Sequence, residues 1–237
     1  MDLSAYFIKV KDLEYLQQNL PDCEIILGVK GLWYKNIELN NFKPQNQAER
    51  DSLIQERIEQ LKLAEYIYHQ NRDTEDKLYW LMISTGNLAY DFENNNQADS
   101  AYKYCQEAVN LQDKLIEANP ENKEYLRESY YDNLASLCLD NQKYQEAVYY
   151  GEKNLKQMQK STELGDDSYL QGAYDVLAFM YLYNQQYPEA QEAARRSLEI
   201  NPDKNYAHLS LARALLLQGK FEEAKKIFVE KKDFSVF

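Results

Sequence analysis

Apolar side chains recur along this chain at helical spacing. Between residues 101 and 115 they are Ala101, Cys105, Ala108, Leu111 and Leu115, successive steps along one face of a helix. A short phrase then repeats: a polar turn, an aromatic, an acid and Ala. It reads NQKYQEA at 141–147, NQQYPEA at 184–190 and QGKFEEA at 218–224, with a degraded copy, NNNQADSA, ending at Ala101. The alanines lie 46, 43 and 34 residues apart, from Ala101 through Ala147 and Ala190 to Ala224. Thirteen and twelve residues before them stand Leu88–Ala89, Leu134–Ala135, Leu177–Ala178 and Leu211–Ala212. Four residues after each Leu comes another apolar side chain: Phe92, Cys138, Tyr181 and Leu215. Recurrence on this scale marks a repeat architecture.

The aligned positions resemble the tetratricopeptide repeat, whose signature runs aromatic-x2-Leu-small-x2-Tyr, then Ala-x3-Phe, then Pro over 34 residues. The third copy matches best, through Tyr174, Leu177, Ala178, Tyr181, Ala190 and Pro202. The other copies depart at single places: Thr85 and His208 stand where an aromatic is usual, and Gly151 where Phe is usual. Four aligned copies cover about two thirds of the chain. The resemblance implies an all-α fold, a right-handed α-solenoid of antiparallel helix pairs, A and B. Each pair is too small to bury its own stripes alone. Small residues belong where helices cross closely, and Leu and aromatics fill the space between crossings. Two copies exceed 34 residues. Pro120 lies nineteen residues beyond Ala101, whereas Pro202 lies twelve beyond Ala190. The excess of seven is about two helical turns, so a longer helix B keeps its apolar face inward. Copy two is extended likewise, with Gly165, Asp166 and Asp167 as stop and restart.

Residues 48–70 predict a further amphipathic helix, a half repeat or cap, and Thr74 is the expected N-cap of the next. The repeat domain therefore spans 46–237, about four repeats plus that helix, and 1–45 is a small irregular non-repeat segment. Within it, CEIILGVKGLWYK (23–35), with Gly28 and Gly31, reads as a short hairpin or irregular chain. Residues 13–27 resemble the closing turn of a leucine-rich-repeat domain, which implies that the chain is one part of a longer polypeptide. After the last helix B only DFSVF follows, without a polar capping helix. That end is expected to be truncated, to self-associate, or to fold Phe234, Val236 and Phe237 back as a lid.

Composition narrows the function. Only 7 Gly and 5 Pro leave little turn chemistry for an all-β fold. With 27 basic and 39 acidic residues the net charge is −12, which disfavours nucleic acid and anionic membrane surfaces as partners. No stretch approaches the ~20 apolar residues of a membrane span, and the N-terminus lacks a secretory pattern. Cys23, Cys105 and Cys138 form no CxxC pair and read as reduced core residues. A cytoplasmic location is expected.

The sequence carries no phosphate loop, GxGxxG or HExxH. His69 reads as surface and His208 as packing, neither with a ligand partner at useful spacing. No cofactor, metal site or catalytic group is expected, and the chain reads as non-enzymatic. The 21 tyrosines exceed core needs, and Tyr is a favoured contact residue. In the family, residues following the small alanine of helix A, and those a turn away, face a concave groove. That implies Tyr90, Ser136, Phe179 and Arg213, with Asp132 and Asp175 a turn earlier and Asp140 and Tyr183 a turn later. Asn133 matches one asparagine of the family's carboxylate clamp. Gly86 and Gly172 occupy the clamp's lysine places, so chaperone carboxylate binding is disfavoured. The expected partner is a protein or peptide with basic and apolar residues. The alternative is a regulatory, peptide-sensing domain of a larger signalling or defence protein.

Overall fold

A computed structural model describes residues 2–3, 5–20, 27–70, 75–127, 129–165 and 169–230. Among them the elements are all helices, and the chain divides into two compact units, Met1–Pro120 and Glu121–Phe237. The first holds α1 (Val10–Asn19), α2 (Lys30–Asn41), α3 (Gln47–Gln70), α4 (Glu75–Asn94) and α5 (Ala98–Ala118). The second holds α6 (Lys123–Arg127), α7 (Tyr130–Asp140), α8 (Tyr144–Glu163), α9 (Leu170–Tyr183), α10 (Tyr187–Ile200), α11 (Asn205–Leu217) and α12 (Phe221–Glu230).

Helices α4–α5, α7–α8, α9–α10 and α11–α12 are the four expected A–B pairs. Their crossing residues are inside: Leu88, Leu134, Leu177 and Leu211 are 9% exposed or less, and Ala135, Ala178 and Ala212 are fully buried. The helix B alanines, Ala101, Ala147, Ala190 and Ala224, are at most 1% exposed. Helix α5 has 21 residues and α8 has 20 against 14 in α10, so most of the extra length of the first two copies lies in helix B, as the proline spacing implies for the first. Gly151, in place of the usual Phe, sits where α8 and α9 nearly touch. A Cβ there would lie 3.1 Å from Leu177 Cδ1.

The repeated polar phrase is a helix stop. Asn96, Gln142, Gln185 and Gly219 all have left-handed φ, between 56° and 78°. After each, the next amide bonds back to the apolar residue ending helix A: Gln97 to Phe92 (2.9 Å), Lys143 to Cys138 (2.8 Å), Gln186 to Tyr181 (2.9 Å) and Lys220 to Leu215 (2.9 Å). The left-handed residues bond to Glu93, Leu139, Leu182 and Leu216. This pair of bonds is the Schellman closure, which satisfies carbonyls orphaned at a helix end. The short polar run thus turns the chain sharply, and helix B opens on the residue after it, Tyr144, Tyr187 and Phe221 in three copies and Ala98 in the first. Gly165, at φ 90°, ends α8; Asp166, Asp167 and Thr74 lie outside the described residues.

The N-terminal segment departs from expectation. Residues 30–35, read as hairpin or irregular chain, are the start of helix α2, and residues 13–19 belong to α1; residues 21–26 lie outside the described residues. Gly31 misleads because it serves close approach. A Cβ there would overlap the Tyr6 carbonyl and lie 2.8 Å from the Phe7 amide. Helix α2 is fastened to α3 and α4 by Arg57, which is 3% exposed. The Arg57 guanidinium donates to Asp91 (2.8 Å), Asn36 (2.9 Å) and Gln60 (3.1 Å), and also to Asn40. Asn87 donates to Asn36 at 2.7 Å and Gln60 to the Leu32 carbonyl at 3.3 Å. The helix expected as a half repeat therefore has a partner helix before it. Cys105 and Cys138 are buried, while Cys23 and the 233–237 tail lie outside the described residues.

Candidate functional site

In the second unit the A helices α7, α9 and α11 are neighbours, and α9 contributes Phe179 to two adjoining hollows. The larger, about 490 Å³, is lined by Ser136 and Asp140 of α7, Asp175, Val176 and Phe179 of α9, and Tyr206 of α11, with Lys204 at its edge. The smaller, about 290 Å³, is lined by Phe179, Leu182 and Tyr183 of α9 and by Arg213, Leu216 and Leu217 of α11. Its rim is apolar yet wet: Tyr183 is 47% exposed and Leu217 53%, while Tyr206 in the larger hollow reaches 71%. Phe179 and Tyr183, one turn apart, pack edge to face with centroids 4.8 Å apart. Exposed aromatic and aliphatic side chains gathered in a concavity are what partner contacts are built from.

Six of the expected groove residues are thus brought together: Ser136, Asp140, Asp175, Phe179, Tyr183 and Arg213. Tyr90 belongs to the first unit, 58% exposed, beside Phe42, Lys43 and Asn94 in a hollow of about 420 Å³. Asp132 and Asn133 lie on α7 outside both linings of the second unit. Tyr206, Lys204, Leu216 and Val176 were absent from the sequence expectation. The signal for Tyr206 was its place six residues before Ala212, the register of Gly172 before Ala178.

Electrostatics separates these residues further. Asp175, one of the acidic residues on the expected groove face, is not left to solvent. Its carboxylate accepts from Ser197 Oγ at 2.5 Å and from Gln171, and Lys204 lies 3.9 Å away. Asp140 is exposed, as is Arg213, and neither has a hydrogen-bond or ionic partner among the described residues. His208 donates from Nε2 to the Pro202 carbonyl at 2.7 Å, clasping the turn into α11. Among the described residues no group of His, Cys, Asp or Glu is placed to hold a metal, and no helix is long and apolar enough to cross a membrane.

Asp132 is the odd carboxylate. Its Oδ1 is buried without a hydrogen-bond partner, and burial alone pushes its pKa up from the ordinary 3.8. Between the ordinary and the raised value the folded state holds more protons than the unfolded one. Stability contributed by this group is therefore gained as pH falls through that window and lost as pH rises. Asp132→Asn is expected to stabilise at pH 7 by about 1 kcal/mol, an advantage that shrinks on acidification towards pH 4. Urea unfolding of both chains at the two pH values measures it, and an Asn variant less stable at pH 7 would indicate a cation near the carboxylate.

The family model described as tetratricopeptide repeat matches residues 181–230. No curated protein matches the sequence. Many solved structures share its fold, among them two that cover most of this chain. A Podosopora anserina putative kinesin light chain with nearly identical TPR-like repeats is 19% identical with a TM-score of 0.62, covering 85% of this chain and 91% of its own. BtubC (BKLC) from P. vanneervenii is 16% identical with a TM-score of 0.63, covering 97% of this chain and 90% of its own.

Proposed function

We propose, from the tetratricopeptide-repeat character of this chain, that it is a non-enzymatic protein-interaction module whose second unit docks a segment of a partner protein across α7, α9 and α11. The observation that carries this reading is the pair of hollows sharing Phe179, rimmed by solvent-exposed Tyr183, Tyr206, Leu216 and Leu217. In water these side chains leave apolar area unsatisfied, at roughly 25 cal/mol per Å². A partner covering them gains that term and completes a row of rigid aromatic anchors.

Photo-crosslinking tests the docking face. A benzoylphenylalanine at Tyr183 or Tyr206 should trap a partner in the native cell, and Phe179→Ala should reduce the trapped fraction at least tenfold. The same probe at Tyr149, exposed on helix α8 outside both hollows, should trap little. Equal trapping at Tyr149, or trapping indifferent to Phe179, would move the interface elsewhere.

A further inference from the structure

The two hollows meet at Phe179, and their unpaired charges lie on opposite sides of it. Asp140 stands on α7 in the larger hollow and Arg213 on α11 in the smaller, each exposed and without a partner among the described residues. The other charges of the larger hollow neutralise one another, since Lys204 pairs with Asp175. What remains is a dipolar face: negative over α7, apolar over α9, positive over α11.

Resting on the docking reading above, we infer that the second unit selects an extended segment of a partner protein with a basic and an acidic residue on either side of a bulky apolar one. The basic residue meets Asp140, the apolar side chain covers Phe179 and the acidic residue meets Arg213. Neighbouring helices pack with axes 8–10 Å apart, so two steps from α7 to α11 span roughly 20 Å. An extended chain advances about 3.3 Å per residue, which places the two charges about six residues apart. A segment with two basic residues would set like charge against Arg213, and one with two acids would set like charge against Asp140. Either loses at one end what it gains at the other.

Panning a displayed library of random decapeptides on the intact chain tests this. Two blocked baits identify peptides that use the groove: Phe179→Ala, and Leu217→Lys at a side chain already half exposed. Both are checked for an unchanged helical melting transition. The expected groove-dependent peptides carry one basic and one acidic residue about six apart around an apolar residue. Synthetic versions with either charge reversed should bind about twofold to fivefold more weakly, as exposed pairs do. On Arg213→Glu the selected acidic residue should become basic. Groove-dependent peptides without charge preference, or with the same preference on the intact and the Arg213→Glu chains, overturn the dipolar assignment and leave the docking reading standing. An absence of groove-dependent peptides overturns both.

Discussion

Replacing Arg57 with alanine is expected to lower the unfolding free energy by about 3–5 kcal/mol, the usual cost of stripping one partner from a buried ion pair. The side chain is 3% exposed and supplies donors to Asp91, Asn36, Asn40 and Gln60 at once. Truncation leaves those acceptors without their guanidinium in a place water enters poorly, and an unmet buried polar group is costly. Asp91→Asn is expected to cost much less. Burial pushes the Asp91 carboxyl up, outweighing the pull of Arg57, so the amide recovers in desolvation part of what it loses in attraction, and its oxygen can still accept from the guanidinium. Urea unfolding followed by circular dichroism orders the two variants. If Arg57→Ala cost under about 1 kcal/mol, helix α2 would be held by apolar contact rather than by the guanidinium.

That contact also marks where the sequence stops being readable. Helices α4, α5 and α7 to α12 were legible because each repeat presents the same Leu–Ala crossing and the same polar stop, and periodicity carries such information; the short α6 belongs to no copy of the pattern. Helix α2 has no repeat partner in sequence, and polar side chains dock it on α3 and α4. A clue existed. Arg57 interrupts the apolar stripe formed by Leu53, Ile54, Leu61 and Ala64, all buried, and a cation on a buried stripe needs partners from elsewhere. Gly31 pointed the other way, because spacing alone does not distinguish a turn glycine from one that lets two backbones touch.

The candidate site was legible to the same depth. The family resemblance implied which face of the A helices carries Phe179, Tyr183, Asp140 and Arg213, and register then grouped them, because residues a turn apart share a face whatever surrounds them. Register says nothing of what a carboxylate has already found. Asp175 is satisfied by Ser197 from α10 and Gln171 from its own helix, with Lys204 from a loop nearby, so the sequence overstates the negative charge on offer. Asp140 and Arg213 matter more, because neither is paired among the described residues.

Ala178→Leu is expected to destabilise the chain by about 3 kcal/mol, the upper part of the range for overpacking. Ala178 is fully buried among Ala193 and Ala194 of α10 and Leu211 and Leu215 of α11, with Tyr174, Tyr181, Leu198 and Ile227 closing the cluster. Three alanines meeting in one place leave no rotamer for a further isopropyl group, so the helices themselves must separate. Separation would also widen the spacing of α9 and α11, and with it the smaller hollow between Phe179 and Arg213. The variant should thus lose groove-dependent peptide binding along with stability, in contrast to Arg213→Glu, which changes the preferred charge without shifting the melting transition. An Ala178→Leu chain with unchanged unfolding would mean that the repeated alanine reflects helix propensity rather than a close crossing, and the geometry of both hollows would lose its structural cause.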